Sequence, residues 1–151
     1  MPPDTIGKDL AELLGNGSGR GLDTDTIQLV LARLGQGKFR EDVLSLWGNS
    51  CAVTGSTSVE ALRASHIKPW RDSDSAVRRD PSNGLPLVAT LDALFDRGLI
   101  GFSAGGKMIV SDLLSNDERK LLGVPGSLRH KPSQQQARYL RYHAKHVFRR
   151  A

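Results

Sequence analysis

The chain has 151 residues, the size of one domain with its own hydrophobic core. Its hydrophobic content of 38% is too high for disorder throughout, and no apolar run approaches the roughly 18 residues that span a bilayer. The amino terminus lacks the basic and then apolar pattern of a signal peptide. The single cysteine, Cys51, excludes an internal disulfide framework and a multi-cysteine zinc site. We therefore expect a cytoplasmic protein without a membrane segment.

The net charge of +5 is unevenly distributed along the chain. Residues 1–118 carry a net charge of −4, whereas residues 119–151 contain nine Lys or Arg and no Asp or Glu. Such a basic block commonly binds phosphates with an affinity that depends on salt. It can equally be a solvated helix face that keeps the protein soluble. Charge alone leaves both interpretations open.

A glycine-rich stretch separates a short amino-terminal arm from the rest of the chain. Lys8–Leu14 can form a short helix, and the glycines and serine of Gly15–Gly21 are typical of a flexible linker. We therefore divide the chain into an arm or linker at residues 1–23 and a folded domain at residues 24–151.

The folded domain begins with predicted scaffold helices. Apolar residues spaced by three and four predict a helix that starts near Thr24 and ends at Gly35 and Gly37. A second helix is expected over Lys38–Trp47. The following segment, Ser50–Gly55, has the character of a short strand that ends in a turn.

The middle of the chain combines two short strands with a polar connection. Val59–Ile67 has strand character and must end before Pro69, which cannot donate to a ladder. Arg71–Ser82 is polar without a hydrophobic period, which predicts a loop. Leu85–Val88 is a brief apolar strand, and a helix is expected over Leu91–Asp96.

The last third of the chain is predicted to form a hairpin and two helices. Their expected positions are Leu99–Phe102 with Lys107–Val110 for the hairpin, Ser115–Leu122 for the first helix and Ser133–Arg149 for the second. The second helix carries a basic stripe at spacings of three and four, formed by Arg138, Arg141, Lys145 and Arg149.

Three residues in the middle of the chain could carry hydrolytic chemistry. His66 has an ordinary pKa of about 6.5, which suits a general base at neutral pH. Asp92 and Asp96 are four apart, so in a helix they lie on one face and could share a hard divalent ion. Purely structural roles are open as well: a histidine of the core, a carboxylate at Asp92 that complements the helix dipole, and an ion pair between Asp96 and an arginine.

Three motifs occur together here in a fixed order: SHIKPW at Ser65–Trp70, NGLPL at Asn83–Leu87 and LDALFDRGLI at Leu91–Ile100. This arrangement resembles the ββα-metal core of the HNH endonucleases. The resemblance covers about Lys38–Val110, with its core motif at residues 62–102. It implies an α+β fold, in which a ββα-metal core is flanked by helices and followed by a basic carboxy-terminal helix.

The resemblance also implies roles for five residues. His66 would be the general base, and Asn83 would hold the loop that orients it. Asp92 would be a metal ligand in place of the final histidine, and Asp96 would be a second ligand one turn later. Ser65 stands where an acid or histidine often binds the metal. Oxygen ligands favour Mg²⁺ or Mn²⁺ over zinc.

Several basic residues are candidates for phosphate contacts. They are Lys68, Arg71 and Arg97 near the motifs, and Arg138, Arg141 and Lys145 on the last helix. Trp70 could stack on a base or close an edge of the core, and the second is favoured. His143 and His146 are expected at the surface or facing DNA. Cys51 is expected to be a buried apolar residue.

We therefore predict a Mg²⁺- or Mn²⁺-dependent endonuclease that acts on DNA, with RNA as the other substrate to consider, and that is joined to or associates with a specificity domain. The alternatives are a nucleic-acid-binding module that has lost catalysis and a structural domain in which the acidic residues form salt bridges. The sequence leaves open the oligomeric state and the choice among restriction, defence, mobile-element transfer and toxicity.

Overall fold

The computed structural model describes residues 23–151. The helix predicted at Lys8–Leu14 and the linker after it lie outside the described residues. The chain falls into two compact units, one that ends at Phe39 and one that comprises Arg40–Ala151. All the sites considered below belong to the second unit. None of the helices in the described range combines the length and hydrophobicity needed to cross a bilayer.

Helix α1 runs without interruption over Thr24–Leu46. The expectation of two helices separated by Gly35 and Gly37 is therefore wrong. A glycine inside a helix costs about 1 kcal/mol relative to alanine, and this does not by itself end the helix. The helix is followed by Gly48 and Asn49, whose φ angles of 63° and 55° turn the chain away from the helical path.

The second unit contains eight further elements, joined by short loops and single 3₁₀ turns. In chain order they are β1 (Leu62–His66), α2 (Ser75–Arg79), β2 (Gly84–Val88), α3 (Ala89–Asp96), β3 (Ile100–Phe102), β4 (Met108–Val110), α4 (Asn116–Leu122) and α5 (Gln134–His146). The predicted hairpin and the helix before Gly123 are confirmed. Helix α2 lies inside the segment that was predicted to be a loop, because Asp74 caps it by accepting a hydrogen bond from the Val77 amide.

Strands β1 and β2 pair antiparallel, and α3 packs against both. The register places His66 opposite Gly84 and Ser65 opposite Leu85, so the residues of the first motif lie where β2 begins. Helix α3 follows β2 without a connecting residue. This short ββα unit, with buried Leu87 and Phe95, confirms the predicted α+β core.

The segment after α1 forms turns, not the predicted short strand. The Cys51 amide donates to the Ser56 carbonyl at 2.9 Å, and the Ala52 amide donates to the Pro86 carbonyl at 2.7 Å. These turns therefore cover the side of β2 that does not pair with β1. Cys51 is fully buried, as expected.

Helix α5 packs against β3 and the ββα unit through a histidine. His143 is only 1% exposed, so its expected surface position is wrong. Its ring stacks on Phe95 with centroids 3.9 Å apart, and its Nε2 donates to the Phe95 carbonyl at 2.8 Å. The ring therefore ties α5 to the end of α3.

The chain leaves the helical path after His146, before the predicted end of α5 at Arg149. Gly98 has a φ angle of 73°, and a Cβ at that position would lie 2.1 Å from the Val147 carbonyl oxygen. The Arg149 amide donates to the Gly98 carbonyl at 2.8 Å, and Ser111 Oγ donates to the Arg149 carbonyl at 2.6 Å. These bonds fix the segment after α5 in place of another helical turn.

Burial of His143 predicts a loss of stability in acid. Burial lowers the pKa of His143 from 6.5 to about 4, against the opposing effects of the Phe95 carbonyl and the charge of Asp96. The folded state thus prefers the neutral ring, so its stability is intact above pH 6.5 and falls as the pH drops toward about 4. By pH 5 the expected loss is about 2 kcal/mol.

This loss can be measured by urea unfolding at pH 7 and pH 5 of the wild type and of His143→Leu. The leucine variant is expected to be less stable at pH 7 but to lose less stability in acid, by about 2 kcal/mol. The same pH dependence in both proteins would show that His143 is not responsible.

Candidate active site

Asn83 holds together the two ends of the loop that joins β1 to β2. Its side chain is fully buried. Its Oδ1 accepts from the Lys68 amide at 2.7 Å, and its Nδ2 donates to the carbonyls of Lys68 at 3.2 Å and Val77 at 3.3 Å. The Asn83 carbonyl also accepts from the Ile67 amide. One amide side chain thus links the end of β1 to helix α2.

His66 is the last residue of β1, and its ring is held by the same loop. Its Nε2 lies 2.9 Å from the carbonyl oxygen of Arg78, next in the chain to the carbonyl that Asn83 binds. A carbonyl can only accept, so Nε2 carries the hydrogen and, in the neutral ring, Nδ1 carries the lone pair. Burial lowers the pKa of His66 from 6.5, the Arg78 carbonyl opposes this, and the charge of Arg78 adds to it. The ring is therefore neutral at pH 7.

Trp70 and Arg78 form a second contact around His66. The Trp70 ring meets the His66 ring edge-on with centroids 5.6 Å apart. The Arg78 guanidinium lies 4.3 Å from the centroid of Trp70, and its Nε donates to the Trp70 carbonyl at 2.9 Å. Trp70 is 45% exposed, so the preference for a position at the core edge is wrong. Its ring instead contacts both the His66 ring and the Arg78 guanidinium.

Ser65 and Asp92 join β1 to α3 beside His66. The Ser65 hydroxyl donates to Asp92 Oδ1 in a short hydrogen bond. Ser65 is buried, whereas Asp92 is half-buried in the first turn of the helix. The Asp92 carboxylate therefore lies near the end of β1, where Ser65 and His66 are consecutive residues.

Asp96 lies at the other end of α3 and borders a different environment. It lines an open cavity of 490 Å³ together with Arg71, Arg97, Leu99, His146, Val147 and Arg149, which we call the basic cavity. Among residues 23–151, neither Asp92 nor Asp96 has a Lys or Arg nitrogen within 4.0 Å, whereas Arg71 pairs with Asp72. In the described range Asp92 and Asp96 therefore do not belong to the salt-bridge network that the structural alternative assigned to the acidic residues.

The donor set suits a hard divalent ion that retains water or substrate oxygens in its shell. Asp92 supplies a carboxylate without a paired cation in the described range, and Ser65 adds a hydroxyl, whereas Asp96 lies at the other end of α3 and lines the basic cavity. Within the same range, no three His, Cys, Asp or Glu side chains are grouped closely enough to hold an ion by themselves. Such partial ligation is typical of Mg²⁺, which keeps several waters and binds phosphate oxygens.

The predicted nucleic-acid contacts fall into two groups. Lys68 and Arg71 follow His66 in the loop, and Arg97 follows Asp96; Lys68 Nζ lies 4.7 Å from the centroid of the Tyr142 ring. Arg138, Arg141 and Lys145 are exposed on α5, as their spacing predicted, and do not line the basic cavity.

Three residues of α5 and its extension contact the loop between β1 and β2 or line the basic cavity, and the sequence did not predict these positions. Tyr142 donates to Asp72 at 2.9 Å, His146 packs on Tyr142 with centroids 4.3 Å apart, and Arg149 lines the basic cavity. The spacing of three residues between His143 and His146 is visible in the sequence. No local feature of the sequence indicates which face of α5 meets the loop between β1 and β2.

Removing the Asn83 side chain should destabilise the fold. Asn83→Ala leaves the Lys68 amide and two carbonyls without their partner in a buried environment. The expected loss is about 2–4 kcal/mol in the free energy of unfolding. Urea denaturation measures it, and Ser82→Ala in the same turn is the control, with an expected change within about 0.5 kcal/mol. Equal stability of the two variants would contradict this role.

The comparison with known proteins identifies the segment that carries this geometry. Residues 51–103, about a third of the chain, match the family model described as HNH endonuclease. No curated protein matches the chain. The matched segment contains β1, β2, α3 and β3, and therefore all of His66, Asn83, Asp92 and Asp96. Residues 51–103 are thus similar to HNH endonuclease domains, which suggests nuclease activity on nucleic acids.

Proposed function

We propose that this protein is a Mg²⁺- or Mn²⁺-dependent endonuclease that hydrolyses phosphodiester bonds in DNA, with His66 as its general base. The observation that carries the proposal is the hydrogen bond from His66 Nε2 to the Arg78 carbonyl, next to the Ser65–Asp92 pair. A neutral imidazole in a fixed tautomer and a carboxylate on the facing helix are the two protein groups that such hydrolysis needs.

In the proposed reaction His66 removes a proton from water. The lone pair of Nδ1 accepts the proton as the water oxygen forms a bond to phosphorus, and the bond from phosphorus to the leaving sugar oxygen breaks. The leaving oxygen takes up a proton from solvent. The lowered pKa of His66 keeps the ring able to accept at neutral pH. The Arg78 carbonyl stabilises the positive charge that forms on the ring.

Asp92 is the proposed principal metal ligand, and Asp96 and Ser65 are proposed to contribute further oxygens. A bound divalent ion would neutralise the charge that develops on the scissile phosphate. The Ser65 hydrogen bond fixes the direction of the Asp92 carboxylate. Asn83 is proposed to keep the loop in the conformation that presents the Arg78 carbonyl to His66.

The substrate is proposed to contact the protein mainly through its phosphates. Lys68 and Arg71 lie in the loop that follows His66, Arg97 follows Asp96, and Arg138, Arg141 and Lys145 are exposed on α5. Phosphate contacts position a duplex but do not read its sequence. We therefore propose one nuclease domain over residues 24–151, with any sequence specificity supplied by another module.

One observation favours a second candidate, a nucleic-acid-binding module without catalysis. In the part of the chain that the structure describes, no group of three acidic, histidine or cysteine side chains could hold an ion without help. The Ser65 hydroxyl is also already used by Asp92. Such a module would bind nucleic acid but not cut it.

Incubation of supercoiled plasmid with the protein in Mg²⁺, in Mn²⁺ and in EDTA separates the two candidates. The proposed nuclease nicks or linearises the plasmid in at least one metal, and EDTA stops it. Absence of cleavage in both metals, while salt-sensitive binding persists, would reject the nuclease proposal for duplex DNA and support the binding module. An RNA transcript tested in parallel shows whether DNA is the preferred substrate.

A further inference from the structure

The basic cavity beside Asp96 contains more positive charge than the proposed reaction uses. Three of its seven lining residues are arginines, His146 adds an imidazole, and Asp96 is its one acidic lining residue. Arg71 has a partner in Asp72 at 4.0 Å, but its side chain is 77% exposed, so this pair is weak. Arg97 and Arg149 form no ion pair within 4.0 Å in the described range. The cavity is therefore suited to an anion.

The segment that carries Arg149 is held in place by hydrogen bonds of its main chain, not by the arginine side chain. Its amide donates to the Gly98 carbonyl, and its carbonyl accepts from Ser111 Oγ. The Ala151 amide further donates to Asp112 Oδ1 at 2.7 Å. In these bonds Arg149 uses only its amide and its carbonyl. Its guanidinium donors are therefore available to a ligand.

Arg97 and Arg149 line the cavity from two segments that are hydrogen-bonded to each other, the end of α3 and the segment after α5. Arg97 caps the end of α3, and its own amide donates to the Ala93 carbonyl. The next residue, Gly98, binds the segment that carries Arg149. Guanidinium groups present several donors in a plane that matches phosphate oxygens. Two such groups on anchored backbones can hold one phosphate from two directions.

The cavity also lies close to the proposed site of cleavage. Asp96 borders it, and Asp92 lies about one helical turn earlier, roughly 6 Å along the helix axis. Arg71 reaches it from the loop that follows His66. A nucleic-acid strand whose scissile phosphate lies near Asp92 would bring a neighbouring phosphate to this cavity.

We propose that the basic cavity binds a backbone phosphodiester of the substrate strand, adjacent to the one that is cut, through Arg97 and Arg149. This inference rests on the proposed nuclease function. It assigns a substrate-binding role to Arg149, and it implies that the enzyme requires a strand that extends past the cleavage site. The wide opening and 490 Å³ volume of the cavity leave room for the attached sugar.

Affinity for nucleic acid tests the cavity without depending on cleavage. A labelled DNA duplex is titrated with His66→Ala protein, with and without Arg149→Ala, at several salt concentrations. Arg150→Ala is the matched control, because it removes the same charge from the same segment, and Arg150 stacks on Phe148 and does not line the cavity. We expect Arg149→Ala to weaken binding about tenfold and to lower the salt slope by about one, and Arg150→Ala to change affinity less than about twofold.

Equal effects of Arg149→Ala and Arg150→Ala would overturn the proposal, because they would show only general electrostatic attraction. Arg149→Lys keeps the charge but loses the planar donors of the guanidinium, so its affinity should lie between those of the wild type and Arg149→Ala. These results are obtained even if no substrate is cut, so they separate failure of the cavity proposal from failure of the nuclease proposal.

A second measurement distinguishes a strand phosphate from a free phosphate. The melting temperature of the protein is recorded with inorganic phosphate, and affinity is recorded for a duplex in which methylphosphonates replace successive phosphates. We expect a methylphosphonate at one position to weaken binding of the duplex to protein that retains Arg149. The same methylphosphonate should cause no further loss of affinity in Arg149→Ala. Stabilisation by inorganic phosphate that needs Arg149, without any effect of Arg149→Ala on duplex binding, would overturn the proposal in favour of a free-phosphate site.

Discussion

Replacement of His66 by alanine is expected to lower the rate of plasmid cleavage by about 10²- to 10⁴-fold, the range typical of a lost general base. The variant also loses the hydrogen bond to the Arg78 carbonyl and the contact with Trp70. His66→Asn is therefore made in parallel, because its amide can still donate to that carbonyl but cannot accept the proton from water as an imidazole does. Both variants should be equally inactive.

The control for this result is His130→Ala. His130 is exposed, and its ring contacts Trp47 and lies outside the proposed site. This variant should cleave at the rate of the wild type. Cleavage is followed as the decay of supercoiled plasmid in Mg²⁺, and the melting temperature and duplex affinity of each variant are recorded. A His66→Ala protein that is folded, binds DNA and cuts at more than a tenth of the wild-type rate would rule out His66 as the base.

Asp92→Asn is expected to remove the response to metal and to lower the cleavage rate by at least about 10²-fold. The asparagine can still accept the hydrogen bond from Ser65, so the join between β1 and α3 should persist. What it loses is the negative charge that a hard cation requires. Ser65→Ala should have a smaller effect, because it leaves the carboxylate in place.

The metal response can be measured without cleavage. An ion that binds the native protein raises its melting temperature, so Mn²⁺ should stabilise the wild type but not Asp92→Asn. Asp117→Asn, an exposed aspartate of α4, is the matched control and should respond as the wild type does. Asp96→Asn placed in the same series tests the second ligand. An unchanged metal-induced shift in Asp92→Asn would move the proposed ion away from this helix.

The sequence by itself determined most of the local structure of the ββα unit. A brief apolar run at Leu85–Val88 predicted β2, and Pro69 limited β1. The sequence also predicted a helix over Leu91–Asp96, which is part of α3. The order of the three motifs also indicated the family whose model matches residues 51–103. These features are readable because each depends on neighbours within a few positions along the chain.

The sequence failed where competing local signals were close in energy. Two glycines suggested a break in α1, but the cost of a glycine in a helix is about 1 kcal/mol, which the rest of a long helix can exceed. The α2 segment was predicted to be a loop, because its five residues show no hydrophobic period and only the Asp74 cap marks its start. Trp70 was expected to close an edge of the core. Its size and hydrophobicity favour burial, but they do not reveal which side of the loop it faces.

Only the tertiary structure decided what surrounds each functional side chain. His66 and Arg78 are 12 residues apart, Ser65 and Asp92 are 27 apart, and His143 and Phe95 are 48 apart. The tautomer of His66, the burial of His143 and the basic cavity between Arg97 and Arg149 all follow from such distant pairs. No periodicity encodes them, because they arise when packing of the hydrophobic core brings separate segments together. The sequence thus determined which residues could do chemistry, and the packing decided which atoms face one another.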